Sequence, residues 1–266
     1  MPTAPLVTVR RDGAVAIVVR DNPPVNALTL EMTRYLHAAL TELGKDASVR
    51  AIVLTGAGNR SFGAGSDIRE FQVLIDAKNA VETKMAFENE TFSLLGQLPQ
   101  PVIAALNGSA FGGGLEIALA CDLIVAERGQ TVGLPEVHLG LFPGSGGPVR
   151  LVRRIGEARA KQMIFDGDPV PVSTALDWGL VNYVVEPGAA LATAVAWAQR
   201  LAGGSASGLQ IAKRAVNDAL QTAVGEQAIR DSLELSRQAF AHPDAAEGAR
   251  AFLDKRPAAF PSAQPQ

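Results

Sequence analysis

Cysteine is almost missing from this chain, and so are several other groups on which sites are commonly built. The lone thiol, Cys121, excludes an intramolecular disulfide and any CxxC metal site. Its apolar neighbours in "ALACDLIV" make it a buried core residue. Only three histidines occur, and His37, His138 and His242 lie too far apart in the sequence to suggest a metal set; each reads as a surface or packing residue. His138 is the least secure of these, because it follows a motif discussed below. No Lys/Arg run is present and the net charge is -3, which argues against a nucleic-acid partner. No stretch approaches the roughly 18 apolar residues of a membrane span. The N-terminal "MPTAPLVTVRRDGAVAIVVR" has a short apolar run flanked by arginines, not a secretory layout, so the expectation is a soluble, cytoplasmic protein.

What is abundant is apolar surface and glycine. Of 266 residues 47% are hydrophobic and 26 are glycine, ordinary for one large domain or a domain with an extension. "PLVTV" and "AVAIVV" are β-branched runs joined by "RRDG", a hairpin pattern. "DNPPVNAL" breaks the strand, Thr29 can cap an amphipathic helix over Leu30 to Leu43, and Gly44 ends it. "VRAIVLTG" and "VIAAL" read as buried strands, residues 56–69 as a glycine-rich loop, and Glu70 to Leu98 as one long helical stretch. A short helix and the strand "CDLIVAE" follow, and the alternation argues α/β. From about residue 199 the pattern is helical only, and the last ten residues lack periodicity. There is no internal sequence repeat.

Two familiar glycine motifs fail. In "LTGAGNRS", Gly56 and Gly58 fit G-x-G, but Ser61 stands where a dinucleotide site needs its third glycine and no helix follows. Neither "NGSAF" nor "PGSGG" supplies the G-x-S-x-G of a hydrolase elbow. The triplet in "SAFGGGLEIALACD" is different. Glycine lets backbone amides approach a ligand, and a helix start presents unpaired N–H groups with a positive dipole end. Such a site can stabilise an oxyanion; the alternative is that the glycines serve tight strand–helix packing. One turn on, Glu116 can stay ionised near the dipole and act as a base, or it caps the helix toward solvent. Glu136, in "VGLPEVHLGLFPGSGG", is flanked by Leu134, Val137, Leu139, Leu141 and Phe142. Pointing inward, it would be held protonated as an acid; pointing outward, it is a loop carboxylate.

"NPPVNAL", "SFGAGSDIREF", "NGSAFGGGLEIALACDLIVA" and "GLPEVHLGLFPGSGG" resemble, in order and spacing, the motifs of the crotonase, or enoyl-CoA hydratase/isomerase, superfamily, over about residues 6 to 255. The resemblance implies an α/β spiral of repeated ββα units over residues 1–198, carrying a site for CoA esters. It also implies a helical region over 199–266 that mediates trimerisation and lids the site, with a loose tail from about 257. A homotrimer or a homohexamer (a dimer of trimers) is expected.

The same resemblance implies acyl-CoA thioester substrates. It implies no metal and no separate cofactor, since the thioester itself makes the α-carbon protonatable and coenzyme A is part of the substrate. The backbone amides of Ser66 and Gly113 would hold the thioester oxygen, with Gly65 and Gly112 beside them. Family members often have Ala where Ser66 stands. Val25, Asn26 and Ala27 would lie near the pantetheine entry, Asp67 and Ile68 beside the site, and Arg69 near the CoA phosphates. Lys255 resembles a terminal basic residue that reaches CoA, sometimes from a neighbouring subunit. Glu116 and Glu136 fall where hydratases carry two glutamates, so hydration of a trans-2-enoyl-CoA is expected. A double-bond isomerase using Glu136 alone and a non-catalytic acyl-CoA binder are the alternatives.

Overall fold

The computed structural model describes residues 5–219, 243–245, 247, 251 and 254–263. β1 (Val7–Asp12) and β2 (Val15–Arg20) form the expected antiparallel hairpin, turning at Gly13 with φ +57°. Thr29 caps α1 (Leu30–Lys45), its hydroxyl accepting from Met32 N at 3.1 Å. Gly44 does not end this helix; the final turn runs one residue past it.

Beyond α1 the chain repeatedly lays one strand in each of two sheets. β3 (Ala51–Gly56), β5 (Val102–Leu106) and β7 (Leu123–Glu127) go to the larger sheet. β4 (Ser61–Gly63), β6 (Ser109–Phe111) and β8 (Thr131–Gly133) go to the smaller. Adding β9 (Val170–Pro171) and β10 (Tyr183–Val185), the orders are β1-β2-β3-β5-β7-β10 and β4-β6-β8-β9. From β2 to β10 the larger sheet is parallel, as is β4-β6-β8. The ββα spiral is thus in place. The three-residue strands of the smaller sheet are too short to show periodicity, and β4 lies inside the stretch that reads as loop.

Buried on both faces, β3 and β5 read as continuous apolar runs. Alternate residues serve different layers: Ile52, Leu54, Val102 and Ala104 pack in one cluster with α1, while Ala51, Val53, Ile103 and Ala105 pack against Ala190, Ala194 and Ala198. Those alanines belong to α7 (Ala190–Ala202), which crosses the boundary expected at 198 and covers the sheet as part of the core. α8 (Ala206–Ala219) follows, anchored by Lys213 Nζ at 2.8 Å from Asp122 and by its bonds to Leu95 O and Gln100 O. Most of the C-terminal helical expectation falls outside the described residues. The segment from 257, expected to be loose, is tied down as far as 263: Ala259 N donates to Glu247 at 2.7 Å, Ser262 N to Asp244 at 3.1 Å, and Ala206 N to Ser262 Oγ at 3.1 Å.

The long helical stretch of the second unit is three pieces. α2 (Ile68–Asp76) is followed by a π-helical turn, Val81–Met85, that runs into α3 (Ala86–Gln97). Lys78, with φ +54°, marks the break. Among the described residues no helix is long and apolar enough to cross a membrane.

Candidate active site

Gly112 begins the site. Its backbone (φ +50°, ψ -129°) is one that L side chains rarely adopt, and it caps α4 (Gly113–Ala120). The turn is crowded as well as strained. A methyl on Gly114 would meet Gly63 O at 2.1 Å, so α4 and β4 touch through bare backbone. The packing reading of the triplet is therefore realised at Gly114. β4 itself is held from below by the fully buried Arg20, whose Nη2 donates to Phe62 O at 2.7 Å and whose guanidinium lies 4.4 Å from the Phe62 ring centroid. Burial lowers its pKa to about 10.

The loop after β4 brings the second amide. Leu28 N donates to Gly65 O at 2.8 Å and Asp67 N donates to Leu28 O at 2.9 Å, a single parallel bridge between Leu28 and Ser66. Because successive amides alternate in extended chain, Ser66 N–H is turned away from Leu28. A methyl on Gly113 would lie 3.9 Å from Ser66 N, and one on Gly65 would lie 3.7 Å from Gly113 N. The two segments are neighbours, and neither amide has a hydrogen-bond acceptor among the described residues.

Both acids point inward. Glu116, 2% exposed, accepts from Gly147 N at 2.8 Å, the first residue of α5 (Gly147–Asp166). Glu136 projects from a five-residue 3-10 turn, Pro135–Leu139, and its Oε1 lies 2.9 Å from where a Gly112 Cβ would be. Its buried Oε2 has no partner among the described residues. The solvent-facing alternatives are therefore not those adopted.

Their electrostatics differ from expectation. Burial, reinforced by the Glu136 and Glu88 charges and opposed by the Gly147 N–H, pushes the Glu116 carboxyl up to about 8. The expectation that the helix dipole keeps Glu116 ionised is corrected here: α4 has eight residues, all buried, and desolvation outweighs its N-terminal field. Glu136 is also raised, chiefly by burial, in the expected direction.

The remaining candidates separate. Val25 and Ala27 are partly exposed, but Asn26 is buried and its side chain is spent internally, donating to Ala57 O at 3.0 Å and Ser61 O at 2.7 Å. Asn26 therefore ties its own turn to the 57–61 loop. Ile68 is exposed; Arg69 reaches into solvent, paired to Asp67 at 2.9 Å. Lys255 is exposed in the Asp254–Arg256 turn, and among the described residues no bond joins it to the two acids. Cys121 is buried, as expected, with its thiol pushed up to about 12. His37 stacks on Phe87, His138 is exposed, and His242 lies outside the described residues. Among the described residues no cluster of three or more His, Cys, Asp or Glu is arranged to hold a metal ion. Gly147, the donor to Glu116, was not singled out from sequence, although the bare backbone of "PGSGG" was the available signal.

A doubly raised pair of carboxyls beside two open amides, on a ββα spiral, defines a class. The profile of the enoyl-CoA hydratase/isomerase family matches residues 10–263, and the chain belongs to that family. It is similar to a short-chain-enoyl-CoA hydratase of Clostridium acetobutylicum (36% identity over 94% of this chain and 95% of that one). It is likewise similar to a crotonyl-CoA hydratase of Syntrophomonas wolfei (34% identity over 96% and 97%). Among solved structures it is similar to an enoyl-CoA hydratase from Bacillus anthracis, with TM-score 0.92, 31% identity and coverage of 97% of this chain and 100% of that one.

Proposed function

We propose that the protein is an enoyl-CoA hydratase that adds water reversibly, in syn fashion, across C2–C3 of a trans-2-enoyl-CoA to give a 3-hydroxyacyl-CoA. The observation that carries this reading is the pair of inward-facing glutamates, Glu136 against Gly112 and Glu116 on the helix that Gly112 caps. Relatives named as enoyl-CoA and crotonyl-CoA hydratases support it. Ser66 N and Gly113 N take the thioester oxygen as charge gathers there, a contribution worth on the order of 10²–10³ in rate per donor. In its ionised form Glu116 removes a proton from the attacking water, and a carboxylate whose pKa is raised to about 8 holds that proton more firmly than an ordinary one. Glu136, its carboxyl raised by burial, holds the same water and gives a proton to C2. The Glu136 charge adds to the burial that raises the Glu116 carboxyl. The working protein is a cytoplasmic homotrimer or homohexamer.

Purified protein mixed with crotonyl-CoA bleaches the enoyl-thioester absorbance, and Glu116→Gln and Glu136→Gln each lower kcat by about 10³ or more, against the 10²–10⁴ ordinary for acid–base groups. Unchanged turnover in either variant removes that residue from the mechanism. A second reading draws on the same burial: the raised Glu116 carboxyl suits an isomerase working through Glu136 alone. Full 3-enoyl-CoA isomerase activity in Glu116→Ala would establish it.

A further inference from the structure

Lys84 is fully buried, a rare state for lysine, and its neighbours explain how that is tolerated. The ammonium donates to Leu28 O at 3.1 Å and to Glu70 Oε2 at 2.5 Å, and Glu88 Oε1 lies 3.4 Å away as an ion-pair partner. It sits in the π-helical turn before α3, where Ala86 N reaches back to Val81 O.

Each partner leads toward the site. Leu28 is the residue whose amide and carbonyl bracket Ser66, through Gly65 O and Asp67 N. Glu70 secures the chain just beyond it, taking Leu30 N at 3.0 Å on both oxygens. In the other direction Glu88 Oε2 accepts from Ser145 Oγ at 2.8 Å. The same loop is held by Asn89 Nδ2 on Gly144 O and Arg150 Nη1 on Ser145 O, each at 2.8 Å. Two residues after Ser145 comes Gly147 N, the donor to Glu116.

We propose that Lys84 is a positioning residue that fixes the two halves of the site against each other, the Ser66 segment through Leu28 and the Glu116 carboxyl through Glu88, Ser145 and the 144–147 loop. Nothing in the acid–base chemistry requires a lysine here; the ammonium serves as the common anchor for an amide donor and a base that arrive from different ββα units. The inference rests on the hydratase reading for its consequence in turnover, but not for its structural content.

Hydrogen exchange followed by mass spectrometry separates the two. In Lys84→Met, peptides spanning residues 64–70 and 144–149 exchange at least about tenfold faster, while β3 keeps its protection. In Ser145→Ala only the 144–149 peptide loosens. Crotonyl-CoA kcat falls about tenfold or more in both variants with KM within a few-fold, as for misplacement of reacting groups, and Lys84→Arg recovers part of it. Uniform loss of protection, or none, in a folded Lys84→Met overturns the proposal. Should Lys84→Met not fold, Ser145→Ala and Lys84→Arg decide the matter: unchanged 144–149 exchange in the former overturns it. A wild type inert toward crotonyl-CoA would defeat the hydratase reading alone, since the exchange pattern stands or falls by itself.

Discussion

Glu116 and Glu136 reach one site from unlike supports. Glu116 stands on a helix whose eight residues are all buried, with one oxygen on Gly147 N and the loop around that amide held by Glu88, Asn89 and Arg150. Glu136 hangs from a five-residue turn with no fully buried residue, and one of its oxygens has no partner among the described residues. The first carboxyl is placed by the protein before any substrate arrives. The second, on its looser support, is expected to settle only when a substrate fills the site. In a hydration, the group that aims a water must be fixed more closely than the group that hands a proton to carbon, and the two supports match that division.

Shortening each acid by one methylene would break or confirm this contrast. Glu116→Asp loses the Gly147 bond and leaves a void, so kcat falls by about 10², the scale of a 1 Å misplacement, and Tm drops by several degrees. Glu136→Asp lowers kcat by only about tenfold with Tm nearly unchanged, because its turn can follow the substrate. Equal losses in steady-state rates and melting curves would dissolve the distinction.

A smaller effect appears in stability against pH. Glu116 rises from 4.5 to about 8 on folding, so between those values the native state holds a proton that the unfolded chain has released. That contribution is fully present below 4.5 and is lost as pH rises through 8. Glu116→Gln carries no such dependence. Relative to wild type it gains on the order of 3–5 kcal/mol between pH 5 and pH 9, measured by urea unfolding. A parallel pair of pH curves would mean that the carboxyl is not desolvated. Smallest is Arg69→Ala. Its side chain is 92% exposed and away from both acids, so KM for crotonyl-CoA rises a few-fold and kcat holds.

How much of this was legible in the sequence depends on range. The hairpin, the cap at Thr29 and the glycine triplet are local chemistry and could be read directly. The continuous apolar runs of β3 and β5 announced burial on both faces. The second sheet could not be seen by periodicity, because its ladders are two and three residues long. The broken helix over 70–98 offered no proline or glycine at the break; a left-handed Lys78 makes it. Lys84 and Glu88, four apart in a polar stretch, look like a solvated surface pair, and only the packing of Leu28 and Ser145 over them reveals otherwise. Glu116 was legible as a site residue but not in its charge, since helix-dipole reasoning knows nothing of how completely a short helix is enclosed. The same limit holds at Asn26, whose side-chain amide is occupied by carbonyls 31 and 35 residues away that its neighbours in sequence do not announce.

β4 and β6 run parallel and side by side, so the chain leaves both at the same end, into the Ser66 segment and into the glycine turn. Residues inserted beyond Glu70, around 71–80, would lengthen the rim of the spiral without disturbing a single rung of either ladder. Chain length can therefore vary at this rim while the turns that follow β4 and β6 keep their places beside one another.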